Sequence, residues 1–173
     1  KLKNKTALVL SASKGIGFGI AEALAKEGCK VIITSSNKKN IDNAKKKIQH
    51  KTGKEISSYV LDLKNNSSVN KTINKIIKEK KKIDILIANG PGPLALEIDK
   101  INLDTLKGAI NTNLINLILI IKKIVPLMKK NKFGRVINLA STTAKEPDPG
   151  MMLSNITRAG IIAFSKTAAI ELS

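Results

Sequence analysis

The sequence predicts an α/β fold in which a doubly wound parallel sheet lies between two helical layers, a three-layer αβα arrangement. Five short apolar runs alternate along the chain with segments whose apolar residues recur at helical spacing. Each connection between runs is long enough to hold a helix, and such crossovers are right-handed in nearly all proteins. The first run also passes into its helix through a tight glycine turn, which is typical of the first unit of such a sheet.

The predicted strands are short and apolar, as expected for a parallel sheet that is buried on both faces. They are Ala7–Leu10, Lys30–Thr34, Ile56–Leu61, Ile83–Ala88 and Arg135–Leu139. The predicted helices run from the glycine turn to about residue 27, over Asn40–Lys51, from Ser67 or Ser68 to Lys80, over Leu103–Lys130 and over Ser154–Leu172.

Three of these helices carry further expectations. We expect the first helix to present one apolar face, made of Ile16, Ile20, Ala23 and Leu24. Either Ser67 or Ser68 is expected to cap the third helix. The long fourth helix is expected to break near its start and to kink at Pro126.

The composition indicates a single domain with an aliphatic core. The chain has 173 residues, of which 42% are apolar and only 2% aromatic, so Ile, Leu, Val and Ala must fill the interior. The single cysteine, Cys29, excludes internal disulfides and cysteine metal clusters, and it fits a reducing compartment as a small buried residue. Because there is also only one histidine, His50, we expect no metal site.

The hydropathy pattern predicts a soluble cytoplasmic protein. No segment has the pattern of a signal peptide. The longest apolar run, Leu114–Ile121, contains Asn116 and ends at two lysines, so it is too short to span a bilayer.

The formal net charge of +18 has two interpretations. One is a polyanionic partner such as nucleic acid. The other is a composition biased toward Lys, Asn and Ile. Since the lysines lie in short scattered runs, without aromatic residues that stack on bases, we favour the second interpretation and expect no nucleic-acid partner.

The glycine turn after the first strand favours the binding of a phosphate group. Gly15 and Gly17 lie between strand and helix, after the small residues 11–13. Backbone amides at a helix start are unpaired, the helix dipole adds positive charge, and glycine lets an anion approach closely. The alternative is a strand-to-helix turn that binds nothing.

This turn resembles the fingerprint T-G-x-x-x-G-x-G of the short-chain dehydrogenase/reductase family. Leu10 stands at the Thr and Ser11 at the first Gly, while Gly15 and Gly17 match the other two glycines. The resemblance covers essentially the whole chain and implies a Rossmann-like fold that binds a nicotinamide dinucleotide. The cofactor-binding residues that it implies are Ser11, Ser13, Lys14, Gly15, Ile16, Gly17, Ser36, Asp62, Leu63, Asn89 and Gly90.

The end of the second strand favours NADP over NAD as the cofactor. Enzymes selective for NAD usually place a carboxylate there, which holds the ribose hydroxyls. Here the residues are Ser35, Ser36 and Asn37, and two lysines follow. Lys14 adds positive charge from the glycine loop. The alternative is that these lysines are ordinary solvated surface, so NAD stays the second choice.

Two further loops are expected at the cofactor. In the family, an acid in the place of Asp62 contacts the adenine edge; the alternative is that Asp62 caps the next helix. Asn89 and Gly90 loosely match the family's N-A-G motif, which closes over the adenine ribose. The alternative there is an ordinary tight turn, because Pro91 and Pro93 break regular structure.

The family's reaction centre combines a Ser after the fifth strand, a Tyr-x-x-x-Lys pair on the next helix and a helix Asn that holds a water in the proton relay. Ser141 matches the Ser and Asn113 the Asn, although Asn113 also lies in an Asn-rich stretch. The family's Tyr lies thirteen residues after the Ser, which selects Ser154, and the Lys position is Arg158. Four residues apart, Ser154 and Arg158 share one helix face.

These two replacements change the chemistry that the resemblance implies. A phenol titrates near pH 10, within reach of a neighbouring cation, whereas an aliphatic hydroxyl is a much weaker acid. Arg stays protonated and cannot transfer a proton, but it can bind ribose hydroxyls, a phosphate or a developing oxyanion.

Two functions therefore stay open. In the first, the chain is an atypical reductase that resembles beta-ketoacyl-acyl-carrier-protein reductases and reduces a carbonyl, for example of a 3-oxoacyl thioester. NADPH then supplies the hydride, Ser141 and Ser154 polarise the carbonyl, and a water supplies the proton. In the second, the chain is a nucleotide-binding sensor or partner subunit without redox activity.

The resemblance also implies a longer chain and an assembly. The family's enzymes continue with two more strands and a loop over the nicotinamide, so we expect residues 1–173 to be one dinucleotide-binding domain that is truncated at its C-terminus. The family's last two long helices pair with a second subunit. We therefore expect a homo-oligomer that acts on a small-molecule carbonyl or alcohol.

Overall fold

A computed structural model describes residues 2–173 and contains one parallel sheet of five strands. The strands lie side by side in the order β3-β2-β1-β4-β5, so the chain winds outward in both directions from β1. Their bounds are Thr6–Val9 (β1), Lys30–Ser35 (β2), Ile56–Val60 (β3), Ile85–Ala88 (β4) and Arg135–Asn138 (β5). The predicted fold class is confirmed.

Six α-helices connect or follow the strands. Their bounds are Gly15–Lys26 (α1), Lys38–Thr52 (α2), Asn66–Lys80 (α3), Leu103–Ile110 (α4), Asn116–Lys130 (α5) and Met152–Glu171 (α6). Apart from the break in the fourth predicted helix, the predicted strand and helix bounds after the glycine turn lie within two residues of these positions.

Apolar side chains on both faces of the sheet form the core, as the period of two along a strand requires. In β1, Leu8 points to the face that α3 and α5 cover, whereas Ala7 and Val9 point to the face that α1 and α2 cover. The helices thus bury the sheet from both sides, which produces the three-layer αβα arrangement.

The predicted apolar face of α1 is confirmed for Ile20 and Leu24, which pack against the core, and was wrong for Ile16 and Ala23. The residues of α1 that are buried are Gly17, Ala21 and Ala25, whereas Ile16 is 70% exposed and Ala23 is also exposed. Small side chains at four-residue spacing let the helix axis approach the sheet closely. The larger side chains of the helix, such as Ile16, then lie at its sides.

The predicted cap of the third helix was also wrong. Asn65 caps α3, because its side-chain oxygen accepts a hydrogen bond from the amide of Ser68 at 3.0 Å. The Ser68 hydroxyl instead accepts a bond from the amide of Asp62, also at 3.0 Å. Asn and Ser are nearly equal as caps, so local preference did not choose between them.

The predicted break in the long helical segment is confirmed and takes the form of a π turn. A π-helical turn, Asn111–Ile115, separates α4 from α5. The α5 helix continues through Pro126, and the kink there stays a prediction.

Within the helical stretch Leu103–Lys130, an 18-residue window has a mean hydropathy of 1.4, which is enough length and apolar character to cross a bilayer on those criteria alone. That window is longer than the apolar run Leu114–Ile121 and includes polar residues beside it. In the fold, many of the apolar residues of α5 pack into the core between the sheet and α3, which is the position of a core helix in a globular domain.

Candidate cofactor and active site

The turn between β1 and α1 lies at the carboxyl ends of the central strands. The amide of Leu10 donates to the carbonyl of Ile87 at 3.1 Å, and the amide of Ala12 donates to the carbonyl of Thr34 at 2.8 Å. The turn is therefore tied to β4 on one side and to β2 on the other. Strand order reverses at β1, and ligands of doubly wound sheets bind in the crevice at that point.

Ser11 adopts a backbone conformation that favours glycine. Its φ of 50° lies in the left-handed region, as does the φ of 58° at Gly15. The family's fingerprint has Gly where this chain has Ser11. The turn therefore keeps the backbone path of a glycine and carries a small side chain on it.

Gly17 is the most tightly packed point of the turn. A Cβ at Gly17 would lie 2.6 Å from the carbonyl oxygen of Ser11 and 2.7 Å from Nδ2 of Asn89. Asn89 Nδ2 in turn donates to the Ser11 carbonyl at 3.2 Å. The structure thus brings together three residues that the sequence predicted at the cofactor: Ser11, Gly17 and Asn89.

The start of α1 has free space and free backbone donors. Within the described chain, no side chain caps it, no acid lies in its first turn, and a Cβ at Gly15 would have no atom within 4 Å. The helices α2, α3 and α4, in contrast, each begin at an Asn whose side chain caps them. Unpaired amides beside open space fit a pyrophosphate. The exposed side chain of Ile16 flanks the same turn.

At the end of β2, hydroxyl groups replace a carboxylate. The buried Ser35 donates from Oγ to Oγ of Ser13 at 3.1 Å, which links β2 to the glycine loop. Asn37 caps α2 by accepting from the amide of Asn40 at 2.9 Å, while Ser36 is exposed.

The three lysines near this strand end differ in their surroundings. Lys38 pairs with the carboxylate of Asp42 one turn along α2. Lys14 and Lys39 are exposed and make no salt bridge within residues 2–173. Two of the three lysines are thus available to an anionic group.

The loop after β3 presents its backbone and one carboxylate. Asp62 accepts a hydrogen bond from the amide of Lys64 at 2.9 Å, which makes a local turn. Because Asn65 caps α3, the alternative role of Asp62 as the helix cap was wrong. The side chain of Leu63 is buried in the core, so only its backbone can face a ligand.

Asn116 is a buried polar residue that sequence reasoning missed. It is fully buried, and its Nδ2 donates to the carbonyl of Leu63 at 2.9 Å and to Oδ1 of Asn66 at 2.8 Å. It therefore connects α5 with the loop that carries Asp62. Its position inside the longest apolar run of the chain was the signal in the sequence.

Asn113 lies in the π turn with an unpaired carbonyl oxygen. Its Nδ2 donates weakly to the carbonyl of Ala109 at 3.4 Å, and its Oδ1 has no partner among residues 2–173. A Cβ at Gly90 would lie 3.2 Å from that oxygen. The residue is only 2% exposed, so the Asn113 oxygen is a buried acceptor next to the loop that follows β4.

Ser141 follows β5 and caps a short 3₁₀ turn, Thr142–Ala144. Its Oγ accepts from the amide of Thr143 at 3.3 Å and from Oγ1 of Thr143 at 3.0 Å. Because both bonds use Ser141 as the acceptor, its hydroxyl proton stays available to another acceptor, such as a substrate carbonyl.

Arg158 connects α6 to the end of β5. Its Nη1 donates to the carbonyl of Leu139 at 2.7 Å, two residues before Ser141. Burial lowers the pKa of Arg158 from its ordinary value. Ser154 lies one helical turn before Arg158 and is also buried. The contact ties this face of α6 to the strand end that precedes Ser141.

The described residues hold two clefts away from these side chains. One of about 550 Å³ follows the open edge of β5 between α5 and α6, and the other of about 560 Å³ lies between α2, β3 and α3. Within residues 2–173, no three His, Cys, Asp or Glu side chains come together as metal ligands would.

Comparisons with known proteins agree with this geometry. The family model of the short chain dehydrogenases matches residues 5–173. The NADPH-dependent reductase BacG of Bacillus subtilis (strain 168) is 33% identical over 174 residues, which cover 99% of this chain and 67% of BacG. The 3-oxoacyl-[acyl-carrier-protein] reductase FabG of Chlamydia trachomatis is 29% identical and is covered to 69%.

A solved structure shares the same fold. YwfH, an NADPH dependent reductase involved in bacilysin biosynthesis, is 31% identical, with a TM-score of 0.93 over 98% of this chain and 67% of that chain. The chain spans about two thirds of the length of the curated relatives that it matches. The sequence fingerprint, the fold and these matches agree: the chain belongs to the short-chain dehydrogenase/reductase family.

Proposed function

We propose that the protein is an oxidoreductase that uses a nicotinamide dinucleotide to reduce a carbonyl to an alcohol. The observation that carries this proposal is the glycine turn after β1. There the uncapped start of α1 offers free amides, and Gly17 packs directly against Ser11 and Asn89. That geometry binds a pyrophosphate at the reversal point of the sheet.

The cofactor in this proposal is NADP, with NAD as the alternative. Hydroxyl and amide side chains at the end of β2 present no carboxylate that would repel a ribose phosphate. Lys14 and Lys39 supply positive charge nearby, without a carboxylate partner in the described chain. BacG and YwfH are both described as NADPH-dependent, which supports the same choice.

The reaction centre in this proposal is an atypical one that lacks the Tyr-x-x-x-Lys pair. NADPH, when bound, supplies a hydride to the carbonyl carbon. Ser141 and Ser154 donate hydrogen bonds to the carbonyl oxygen, and Arg158 acts as a fixed cation that stabilises its developing charge. Since neither Ser nor Arg is a good proton donor near pH 7, the proton comes from a water, and Asn113 Oδ1 offers an acceptor that can hold it.

A second function stays open because of Ser154. An aliphatic hydroxyl in the place of a phenol is a poor acid, which favours a nucleotide-binding protein without redox activity. The relatives named FabG provide the first substrate for an assay that separates the two functions, a 3-oxoacyl thioester.

The test combines calorimetry with the absorbance of NADPH. We expect NADPH to bind about tenfold or more tightly than NADH, because charged hydrogen bonds to the extra phosphate add affinity. With an acetoacetyl thioester, NADPH should be consumed, and Ser141→Ala should slow turnover about a hundredfold. Thr167→Ala, which removes an exposed hydroxyl of α6, is the matched control.

The outcomes separate the alternatives. Firm NADPH binding without turnover on any ketone supports the non-redox function. Absence of binding by either dinucleotide would overturn both proposed functions.

We further propose that residues 1–173 form one dinucleotide-binding domain of a cytoplasmic homo-oligomer.

A further inference from the structure

The edge of the sheet at which all five strands begin is strongly basic. In a parallel sheet with helical crossovers, the helices that precede the strands end at this same edge, which we call the amino edge. It consists of the strand starts, the helix ends and the loops between them, which are residues 2–6, 23–30, 49–56, 77–85, 127–135 and 168–173.

Fourteen cations and five acids lie at the amino edge. The cations are Lys3, Lys5, Lys26, Lys30, Lys51, Lys54, Lys78, Lys80, Lys81, Lys82, Lys129, Lys130, Lys132 and Arg135. The acids are Glu27, Glu55, Glu79, Asp84 and Glu171. Lysine runs that are scattered along the sequence are therefore gathered by the fold on one side of the molecule.

The opposite edge, where the strands end and the cofactor crevice lies, has a balanced charge. Its loops and first helical turns are residues 10–18, 36–42, 61–69, 89–107 and 139–155, and they contain seven lysines and seven acids. A general bias of the composition toward lysine would act on both edges alike. The excess of positive charge at the amino edge therefore needs another explanation.

Most of the charge at the amino edge is available to a partner. All of its cations are exposed except Lys5 and Lys80, which are half-buried. Within residues 2–173, only three of them form salt bridges: Lys26 and Lys51 with Glu22, and Lys82 with Asp84.

The helix dipole explains only some of these cations. Six of the fourteen lie in the last turns of α1, α2, α3 and α5, where a positive charge is favourable. The other eight lie in loops or at strand starts, outside the helices. The fold thus presents more positive charge at this edge than the helix ends require.

We propose that the amino edge binds the surface of a bilayer rich in anionic lipid, with the cofactor crevice facing away from the bilayer. Each lysine near such a surface adds to the attraction. The crevice lies at the other end of the strands, so cofactor and substrate still reach it from solvent. The apolar helix α5 stays in the core, so this is contact with the membrane surface. The inference goes beyond the proposed function and does not depend on it.

The kind of cation favours a lipid surface over nucleic acid. Thirteen of the fourteen are lysines, whose point charge lacks the bidentate geometry with which arginine recognises phosphates and bases. Phe133 is the one aromatic residue in these segments. Lys5 Nζ lies 3.4 Å from its ring centroid and the Arg135 guanidinium carbon 4.9 Å from it, so the ring is poorly placed to stack on a base.

The spread of the charges also favours a surface. They come from the segments before all five strands and from the ends of helices on both faces of the sheet. The patch therefore extends in two dimensions, along the sheet and across its layers. A planar array of anionic headgroups matches such a patch better than a single nucleic-acid strand does.

The test measures co-sedimentation of the protein with vesicles of phosphatidylcholine that contain about one third phosphatidylserine. We expect binding at least about tenfold stronger than to vesicles of phosphatidylcholine alone, and its loss between about 0.1 and 0.5 M salt. Calorimetry should give the same NADPH affinity with and without vesicles, because the crevice faces away from them.

A variant with four substitutions tests the amino edge itself. Lys30→Gln, Lys54→Gln, Lys129→Gln and Lys130→Gln together remove exposed charges that form no salt bridge within residues 2–173. At about fivefold for each charge, binding to the anionic vesicles should fall about a hundredfold or more. Circular dichroism should show an unchanged fold.

The matched control removes the same net charge elsewhere. Lys64→Gln, Lys107→Gln and Lys145→Gln lie at the opposite edge, and Lys71→Gln lies in the first half of α3. All four lysines are exposed and form no salt bridge within residues 2–173. Because they are farther from the bilayer than the Debye length, vesicle binding should fall less than about fivefold.

Each outcome decides the inference. Equal binding to neutral and anionic vesicles, an equal loss in both variants, or weaker NADPH binding on vesicles overturns it. Tighter binding to a DNA duplex than to anionic vesicles, at equal phosphate concentration, overturns it in favour of nucleic acid. Vesicle binding by a protein that binds no dinucleotide would support this inference and overturn only the proposed function.

Discussion

The glycine turn has no room for a side chain at Gly17, so a substitution there should lower both the stability of the fold and the affinity for the cofactor. A methyl group there would overlap the Ser11 carbonyl and the Asn89 amide at 2.6 and 2.7 Å. We predict that Gly17→Ala lowers the free energy of unfolding by about 1–3 kcal/mol, because the turn must shift to relieve the overlap. The same shift should weaken NADPH binding.

Gly19→Ala is the matched control for this prediction. Gly19 lies on the same helix, and a Cβ there would have no described atom within 4 Å. Alanine should stabilise the helix by about 0.5–1 kcal/mol, because glycine is unfavourable in a helix interior. Urea unfolding and calorimetry measure both variants; equal stability of the two would show that the turn adapts to the methyl group.

Tyr59 is the only tyrosine of the chain, which has no tryptophan, so its titration can be followed by phenolate absorbance alone. Burial, and then a 2.6 Å hydrogen bond to Glu79, raises the pKa of Tyr59 to about 12. An unfolded tyrosine titrates near pH 10. As pH rises, the unfolded state therefore releases this proton first, and the stability that Tyr59 contributes is complete below about pH 10 and lost toward pH 12.

Comparison with Tyr59→Phe separates this loss from the titration of the many lysines. The variant should lose less stability than the unsubstituted protein over this pH range. Glu79→Gln should lower the midpoint of the phenolate titration but leave it above the unfolded value, since burial is the larger cause of the shift. A native protein whose tyrosine titrates near pH 10 would contradict the prediction.

At the scale of elements, Asn116 joins α5 to the loop between β3 and α3. We predict that Asn116→Ala lowers the free energy of unfolding by about 1–3 kcal/mol, because the buried carbonyl of Leu63 loses its donor. Asn74→Ala, which removes an exposed acceptor of Lys123, should change it by less than about 0.5 kcal/mol. Thermal unfolding of both variants tests this; a similar small loss in each would mean that water replaces the Asn116 amide.

Element positions followed from local patterns, whereas the contacts between elements did not. Strand bounds came from short apolar runs, and the π turn was anticipated only as a break near Leu103. The buried face of α1 was mispredicted in part: Leu24 packs against the core as expected, but hydrophobicity favoured Ile16 over the small residue Gly17. Which residues of α1 are buried depends on the distance between the helix and the sheet. That distance in turn depends on residues far away in the chain.

At the scale of the whole molecule, the site was predictable to the extent that a family pattern fixes spacing. Gly17 and Asn89 lie side by side in the structure although they are 72 residues apart in the sequence. Arg158 likewise contacts Leu139 at the end of β5, 19 residues before it. Asn116 was not predicted as a partner of Leu63, because no local rule states what a buried Asn will contact. That Arg158 pairs with no carboxylate among residues 2–173 was equally invisible in the sequence, since it depends on where each carboxylate lies in the fold.

The surface of the helical segment 103–119 leads to a prediction about assembly. Leu103, Ile115 and Leu119 are exposed there, and Ile156 of α6 is exposed too. Leu114 packs closely on α6, since a Cβ at Gly160 would lie 3.0 Å from Leu114 Cδ2. These helices therefore present apolar side chains outward from a tightly packed pair, which favours a contact between two copies.

We predict that sedimentation at micromolar concentration detects a homo-oligomer, and that Ile115→Lys shifts it toward the monomer. A lysine there places a charge in an apolar contact, and since Ile115 is 43% exposed and belongs to neither core cluster, the fold should persist by circular dichroism. Val60→Lys, at the exposed end of β3 on the opposite edge of the sheet, should leave the assembly unchanged. A monomer in the unsubstituted protein, or equal dissociation in both variants, would mean that the apolar side chains of this surface have another partner.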